Sequence, residues 1–165
     1  VPVGEVGEII TRGPHMMKGY WRREEETRET MKGGWIHTAD MAYQDQDGFI
    51  YVVDRKKDMI ISGGMNVYSA EVEFALMRHP SISQAAVIGI PDEKWGEAIK
   101  AIVVLKPGDS TTEEEIMAFC REQLSAYKRP KSLDFVDQLP LTPYGKIDKK
   151  VIRSQYWAGQ ERAVH

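Results

Sequence analysis

Apolar and polar residues alternate in short runs along the first third of the chain. Residues 5 to 12 alternate loosely, as a strand does. The runs 35–43 and 49–54 flank Asp47-Gly48, a dipeptide suited to the positive-φ turn of a hairpin. Between these strands, Arg22 to Met31 is charged and helix-prone, and Gly33-Gly34 stops it before Trp35. After a second glycine pair, Gly63-Gly64, a helix is expected from Ser69, read as its N-cap, with Glu71 and Glu73 in the first turn and Pro80 as its end. Val72, Ala75, Leu76 and His79 share one face of it. Residues 84–90 and 98–105 are rich in β-branched positions and read as two strands joined through Pro91-Asp92 and Trp95-Gly96. A further helix opens with a capping box, Thr112 with Glu115, and carries an apolar stripe of Ile116, Phe119, Cys120 and Leu124. A short strand around residues 132–136, a turn-rich run 140–145 and a basic terminal helix complete the pattern. The expected fold class is α+β: a small domain over 57–165 with a short sheet flanked by helices, preceded by a β-rich segment over 1–56.

Composition narrows the setting. The chain has 165 residues, 42% of them hydrophobic and 28% charged, enough for one modest core and part of another. Its apolar runs fall far short of the roughly 20 residues of a membrane helix, and no basic-then-apolar leader opens it. Cys120 is the only cysteine, so no intramolecular disulfide forms, and a reducing cytoplasm is the expected compartment. A net charge of −3 argues against a general nucleic-acid footprint. Charge is uneven all the same: from Lys128 to Arg153 seven basic residues stand against Asp134, Asp137 and Asp148. That run reads equally as a face for a phosphate-bearing ligand and as a solvated basic surface. Val1 is not an initiator methionine, which reads as entry from an earlier segment.

No zinc-type cysteine spacing, Ser-His-Asp order or Walker-type loop is present, and no metal site is expected. What remains is a set of positions around the glycine turn: Asp40, Arg55, Lys57, Gly63-Gly64, Asn66, and Lys146 behind Tyr144-Gly145. Each alone has a structural explanation in a turn cap, a surface pair or a tight turn.

Their order is more specific. The runs His37-Thr38-Ala39-Asp40, Asp54-Arg55-Lys56-Lys57-Asp58 and Ser62-Gly63-Gly64-Met65-Asn66-Val67-Tyr68 resemble the adenylate-forming enzymes, the superfamily of acyl- and aryl-CoA ligases, luciferases and peptide-synthetase adenylation domains. The resemblance continues through Ala70 to Glu73, Pro91 to Glu93, Gly96-Glu97, Tyr127 to Pro130 and Gly145-Lys146-Ile147-Asp148, and upstream through Gly7 to Ile9 and Lys18 to Trp21. It covers nearly the whole chain, as the C-terminal part of an acyl-CoA synthetase.

The resemblance implies that residues 1–56 end a large N-terminal adenylation domain and that 57–165 form the small mobile C-terminal lid. It implies ATP-dependent ligation of a carboxylic acid, fatty or otherwise hydrophobic, to CoA through an acyl adenylate. Lys146 is the catalytic cation, Asp40 and Arg55 bind the nucleotide, Lys57 is the hinge, and Gly63, Gly64 and Asn66 line the pantetheine passage. ATP and CoA are substrates, and Mg2+ is implied with no ligands in this chain. The partner is the remainder of the same protein. Alone, these residues are expected to be inactive, and self-association as a homodimer stays open. Departures from the pattern are Ala39 in place of a usual glycine, Ser69 in place of proline, Leu141 in place of a basic residue, and Ile61 where some ligases carry a lysine. Two other readings are an adenylation domain that loads an acyl-carrier protein and a non-catalytic nucleotide- or CoA-binding module.

Overall fold

The structure, a computed structural model, describes residues 1–158. They form two compact units, the first Val1–Lys56 and the second from Lys57 onward.

The first unit is a three-stranded antiparallel sheet of β1 (Gly7–Thr11), β2 (Ile36–Gln44) and β3 (Ile50–Arg55), with the long β2 in the centre and α1 (Glu24–Thr30) between β1 and β2 in sequence. The β2–β3 hairpin turns as its sequence requires, because Gly48 takes φ +88°. Asp45 does more here than Asp47: its carboxylate accepts from the amides of Asp47 and Phe49 at 3.0 and 2.9 Å. Helix α1 is shorter than expected and buries no residue. It is held by local polar contacts, with Thr27 Oγ1 donating to the Arg23 carbonyl at 2.7 Å and accepting from the Tyr20 amide at 2.9 Å. Ile36 and Ala42 are buried, whereas Phe49, Ile50 and Val52 are 65%, 61% and 62% exposed, so this sheet has little core of its own.

The second unit holds the main core. Strands β4 (Ile60–Ser62) and β5 (Met65–Val67) form a tight hairpin, α2 spans Ser69–Leu76, and β6 (Ile82–Asp92) and β7 (Gly96–Leu105) form a long antiparallel pair. After α3 (Glu113–Gln123) the chain returns in β8 (Ser132–Phe135), parallel to β7, and α4 spans Lys149–Ser154. The sheet order is β5-β4-β7-β6, with β8 against β7. Strand alternation sends side chains to two faces. Val87, Ile99, Ala101 and Val103 pack with Val72, Ala75 and Leu76 of α2 and Ile116 and Cys120 of α3. Ala86, Ile88 and Ile102 face the other way, onto Leu139 and Ile152 of α4. The capping box forms as expected, with Glu115 N–H to Thr112 Oγ1 at 3.2 Å and Thr112 N–H to Glu115 Oε2 at 3.0 Å. Among the described residues no helix is long and apolar enough to cross a membrane.

Two expectations about α2 are corrected. Tyr68, not Ser69, is the N-cap; Ser69 is the first helical residue, fully buried, and accepts a hydrogen bond from Lys149 Nζ at 2.8 Å. A buried hydroxyl serves better as an anchor for α4 than as a cap. The helix also ends at Leu76, short of Pro80, and leaves His79 outside it with its ring edge-on to Phe119 at 5.1 Å.

Candidate functional site

In the first unit, Asp40 in the middle of β2 and Arg55 at the end of β3 are cross-strand partners, with Arg55 Nε 3.7 Å from Asp40 Oδ1. Both remain open to solvent, at 41% and 56% of the side chain, so the pair orients Asp40 loosely and leaves its carboxylate free to accept other donors.

Asp40 stands on a bulge. Glu8 pairs with Met41 and Ile10 with His37, so the single residue Ile9 on β1 faces Thr38, Ala39 and Asp40 on β2. Ala39 takes φ +59°, a left-handed conformation that costs an L-residue roughly 1–2 kcal/mol. The bulge is pinned by side chains: Thr38 Oγ1 donates to the Ile9 carbonyl at 2.8 Å and accepts from the Asp40 amide at 3.1 Å. The Glu8 carboxylate accepts from the Ala39 amide at 3.0 Å, meets His37 Nδ1 at 3.2 Å and lies 3.5 Å from Lys56 Nζ. Partial burial works to raise the Glu8 pKa, but these hydrogen bonds and the Lys56 charge hold it below its ordinary value.

In the second unit, Lys57 is exposed in a 3-10 turn. Gly63 and Gly64 form the β4–β5 turn with φ +58° and +78°, the two successive positive values that a two-residue hairpin of this hand requires. Gly63 N–H donates to the Trp95 carbonyl at 2.8 Å. A Cβ on Gly63 would stand 2.6 Å from the Trp95 ring, whereas one on Gly64 would meet nothing. Asn66 is exposed on β5 opposite Ile61. Beside the turn, Ser62, Trp95, Ala126, Tyr127 and Lys131 line a cleft of about 270 Å³. The ammonium groups of Lys94 and Lys131 lie 4.9 and 5.6 Å from the Trp95 ring centroid. Sequence reasoning placed Trp95 in a turn and Tyr127 in a run that resembles the family, and gave neither a role; their spacing carries no sign that the turn before β7 and the segment after α3 would meet. It missed Glu97 too, which is 5% exposed on β7 and accepts from the Ile61 amide at 3.1 Å, tying β4 to the sheet.

Lys146 lies on a turn braced by its own backbone. Its carbonyl accepts from the Thr142 amide at 2.7 Å, its amide donates to Thr142 Oγ1 at 3.2 Å, and Leu141 bridges Ile147. Its side chain is exposed and has no hydrogen bond or ion pair among the described residues. Four of the other basic residues of this stretch differ. Lys128 pairs with Glu71 at 2.6 Å, Lys149 with Glu73 at 2.7 Å and Arg153 with Asp58 at 2.7 Å, while Arg129 donates to the Leu124 and Arg121 carbonyls. These cations fasten the fold. Cys120 is 1% exposed, and burial raises its thiol pKa, as suits a packing residue. Among the described residues no three His, Cys, Asp or Glu side chains group as a metal site, and no chemical step is assigned to Mg2+.

The second unit thus combines a two-faced sheet, a glycine hairpin beside an aromatic cleft and a lysine on a braced turn. Residues 71–146 match the AMP-binding enzyme C-terminal domain, and over that stretch the chain belongs to that family. The chain is 47% identical to a medium/long-chain-fatty-acid–CoA ligase, FadD8, of Mycobacterium tuberculosis, an alignment that covers 99% of this chain and 30% of the relative. It is 51% identical to a feruloyl-CoA synthase of an Amycolatopsis species over 94% of this chain and 32% of the relative. Its fold superposes with a TM-score of 0.85 on the o-succinylbenzoate CoA synthetase MenE of Bacillus subtilis, solved with the acyl-adenylate OSB-AMP. That pair is 37% identical, over 99% of this chain and 33% of the other. The chain thus spans about 30% of the length of the curated relatives it matches.

Proposed function

We propose that this chain is the C-terminal part of an AMP-forming acid–thiol ligase. In that enzyme a carboxylate oxygen attacks the α-phosphorus of ATP and expels pyrophosphate; the CoA sulfur then attacks the acyl carbon and expels AMP. The relatives named above are CoA ligases of fatty and feruloyl acids, which supports a hydrophobic carboxylic acid as substrate. The observation that carries the reading is Lys146: in a stretch whose other cations mostly fasten the fold, its ammonium is offered to solvent on a braced turn. A positioned cation that reaches the α-phosphate and the attacking carboxylate lowers the first barrier electrostatically.

Asp40 accepts from the ribose hydroxyls, and Arg55 supports the same sugar. Lys57, the first residue of the second unit, is the hinge about which the lid turns between the two half-reactions. The thioester step uses the Gly63-Gly64 turn, where absent side chains leave room for the pantetheine arm, with Asn66 alongside. The adjoining cleft suits the ring and phosphates of CoA, since Trp95 and Tyr127 offer aromatic faces and Lys131 a cation.

The test is ATP- and CoA-dependent thioester formation by the full-length protein across a panel of fatty, aryl and steroid-like acids. Turnover with one group is expected and names the substrate. Adenylate formed without transfer to CoA would overturn the acceptor and favour a carrier protein. No adenylate with any acid would overturn the ligase reading.

A further inference from the structure

The pinned bulge on β2 has an organiser. We infer that Glu8 is a positioning residue for Asp40: from β1, its carboxylate holds the left-handed turn at Ala39 from which Asp40 projects. The inference rests on the reading of Asp40 as a nucleotide contact.

Three observations support it. Among the described residues Ala39 is one of two non-glycine residues with positive φ, the other being Arg22. Such a conformation persists where surrounding contacts over-determine it. Those contacts converge here from outside the bulge: the Ala39 amide points at Glu8 Oε1 at 3.0 Å, and the other carboxylate oxygen is engaged by His37 at 3.2 Å and Lys56 at 3.5 Å. Glu8 is therefore fixed at both oxygens, and its side chain is only 18% exposed, so water replaces it poorly. Finally, the register shift puts three residues of β2 opposite one of β1. Without the carboxylate wedge the strand has reason to relax toward regular pairing, a two-residue shift of register that would undo the turn from which Asp40 projects. The depressed pKa of Glu8 agrees, since the ionised form is the one that accepts all these donors.

The Asp40–Arg55 pair cannot do this alone. At 3.7 Å and largely exposed it constrains the side chain's tip, not the backbone that aims it.

The experiment uses the full-length protein and reads KM for ATP and kcat of adenylation by acid-dependent ATP–pyrophosphate exchange. Glu8→Ala is expected to raise KM for ATP about 10-fold with kcat within about 2-fold, as removal of a partly buried acceptor from a positioned contact does. Glu8→Gln, which keeps an oxygen for the Ala39 amide, should recover part of that loss. Ala39→Gly should be nearly silent alone and should restore ATP affinity in the Glu8→Ala background, because glycine adopts the turn without being held. An unchanged KM in Glu8→Ala overturns the inference, and so does a double variant as impaired as Glu8→Ala. If Glu8→Ala does not fold, the comparison of Glu8→Gln with Glu8→Gln/Ala39→Gly decides in the same way. Asp40→Ala, run in parallel, separates the two levels: a raised KM there with none in Glu8→Ala removes only the role of Glu8, whereas no change in Asp40→Ala removes the nucleotide reading and this inference with it.

Discussion

Lys100 is a lysine inside a sheet, 7% exposed on β7. Burial of an ammonium is costly unless it is paired, and here Nζ lies 2.7 Å from Asp134 Oδ1 and 5.4 Å from the centroid of the Tyr156 ring. Tyr156 in turn donates its hydroxyl to Asp134 Oδ2 at 2.6 Å. Burial works to raise the Asp134 pKa, but these two donors lower it on balance, and burial together with the Asp134 contact pushes the Tyr156 phenol up to about 12. The sign follows from the neutral phenol being the form that the folded state prefers. Its contribution is whole below the unfolded value of 10.0 and disappears as pH rises toward about 12. The stability difference between the protein and its Tyr156→Phe variant should therefore be about 1 kcal/mol at neutral pH and shrink through that window. Denaturant unfolding at stepped pH checks this; a difference that stays constant to pH 12 contradicts it.

At the scale of elements, the β4–β5 hairpin joins two demands at neighbouring glycines. Gly63 is close-packed against the Trp95 ring, and Gly64 faces open space. A leucine at Gly64 adds bulk where the pantetheine arm is proposed to pass, and an alanine there carries similar left-handed strain without the bulk. Gly64→Leu in the full-length protein should slow thioester formation from the acyl adenylate at least ~10-fold beyond Gly64→Ala, with pyrophosphate release spared. Equal thioester rates in the two variants would remove the passage from this turn. The same hairpin marks how far the sequence could be read. Gly63-Gly64 announced a turn, and the β6–β7 pair, the α3 capping box and the apolar stripe on α3 were legible because each is written in local periodicity. Ser69 misled because a serine before acidic residues has the composition of a cap, and only the tertiary contact from Lys149 shows it as a buried anchor. Glu8 and Glu97 lie in runs that the resemblance covers, but neither their roles nor that of Trp95 is written in local sequence. What they do comes from strands and loops that are distant in sequence and meet only in the fold.

For the whole molecule, the charges sort into two kinds. Lys128, Lys149 and Arg153 reach back to acids on α2 and ahead of β4, and together they lash the C-terminal segment to the second unit. The Lys149–Glu73 and Arg153–Asp58 pairs are protected enough that removing one member would leave a partner uncompensated, whereas Glu71 in the third pair is exposed to solvent. Lys146 lies in the same segment and is held only by its backbone. Sequence alone made this stretch a basic run with a motif lysine in it. The pairing separates the lysine proposed to act from the cations that carry its platform. The most direct test compares the two half-reactions of the full-length protein with Lys146→Ala. The account predicts a loss of about 10² or more in acid-dependent pyrophosphate release, with preformed acyl adenylate still passing its acyl group to CoA at close to the unmodified rate. Equal loss in both half-reactions, or none in the first, would contradict it.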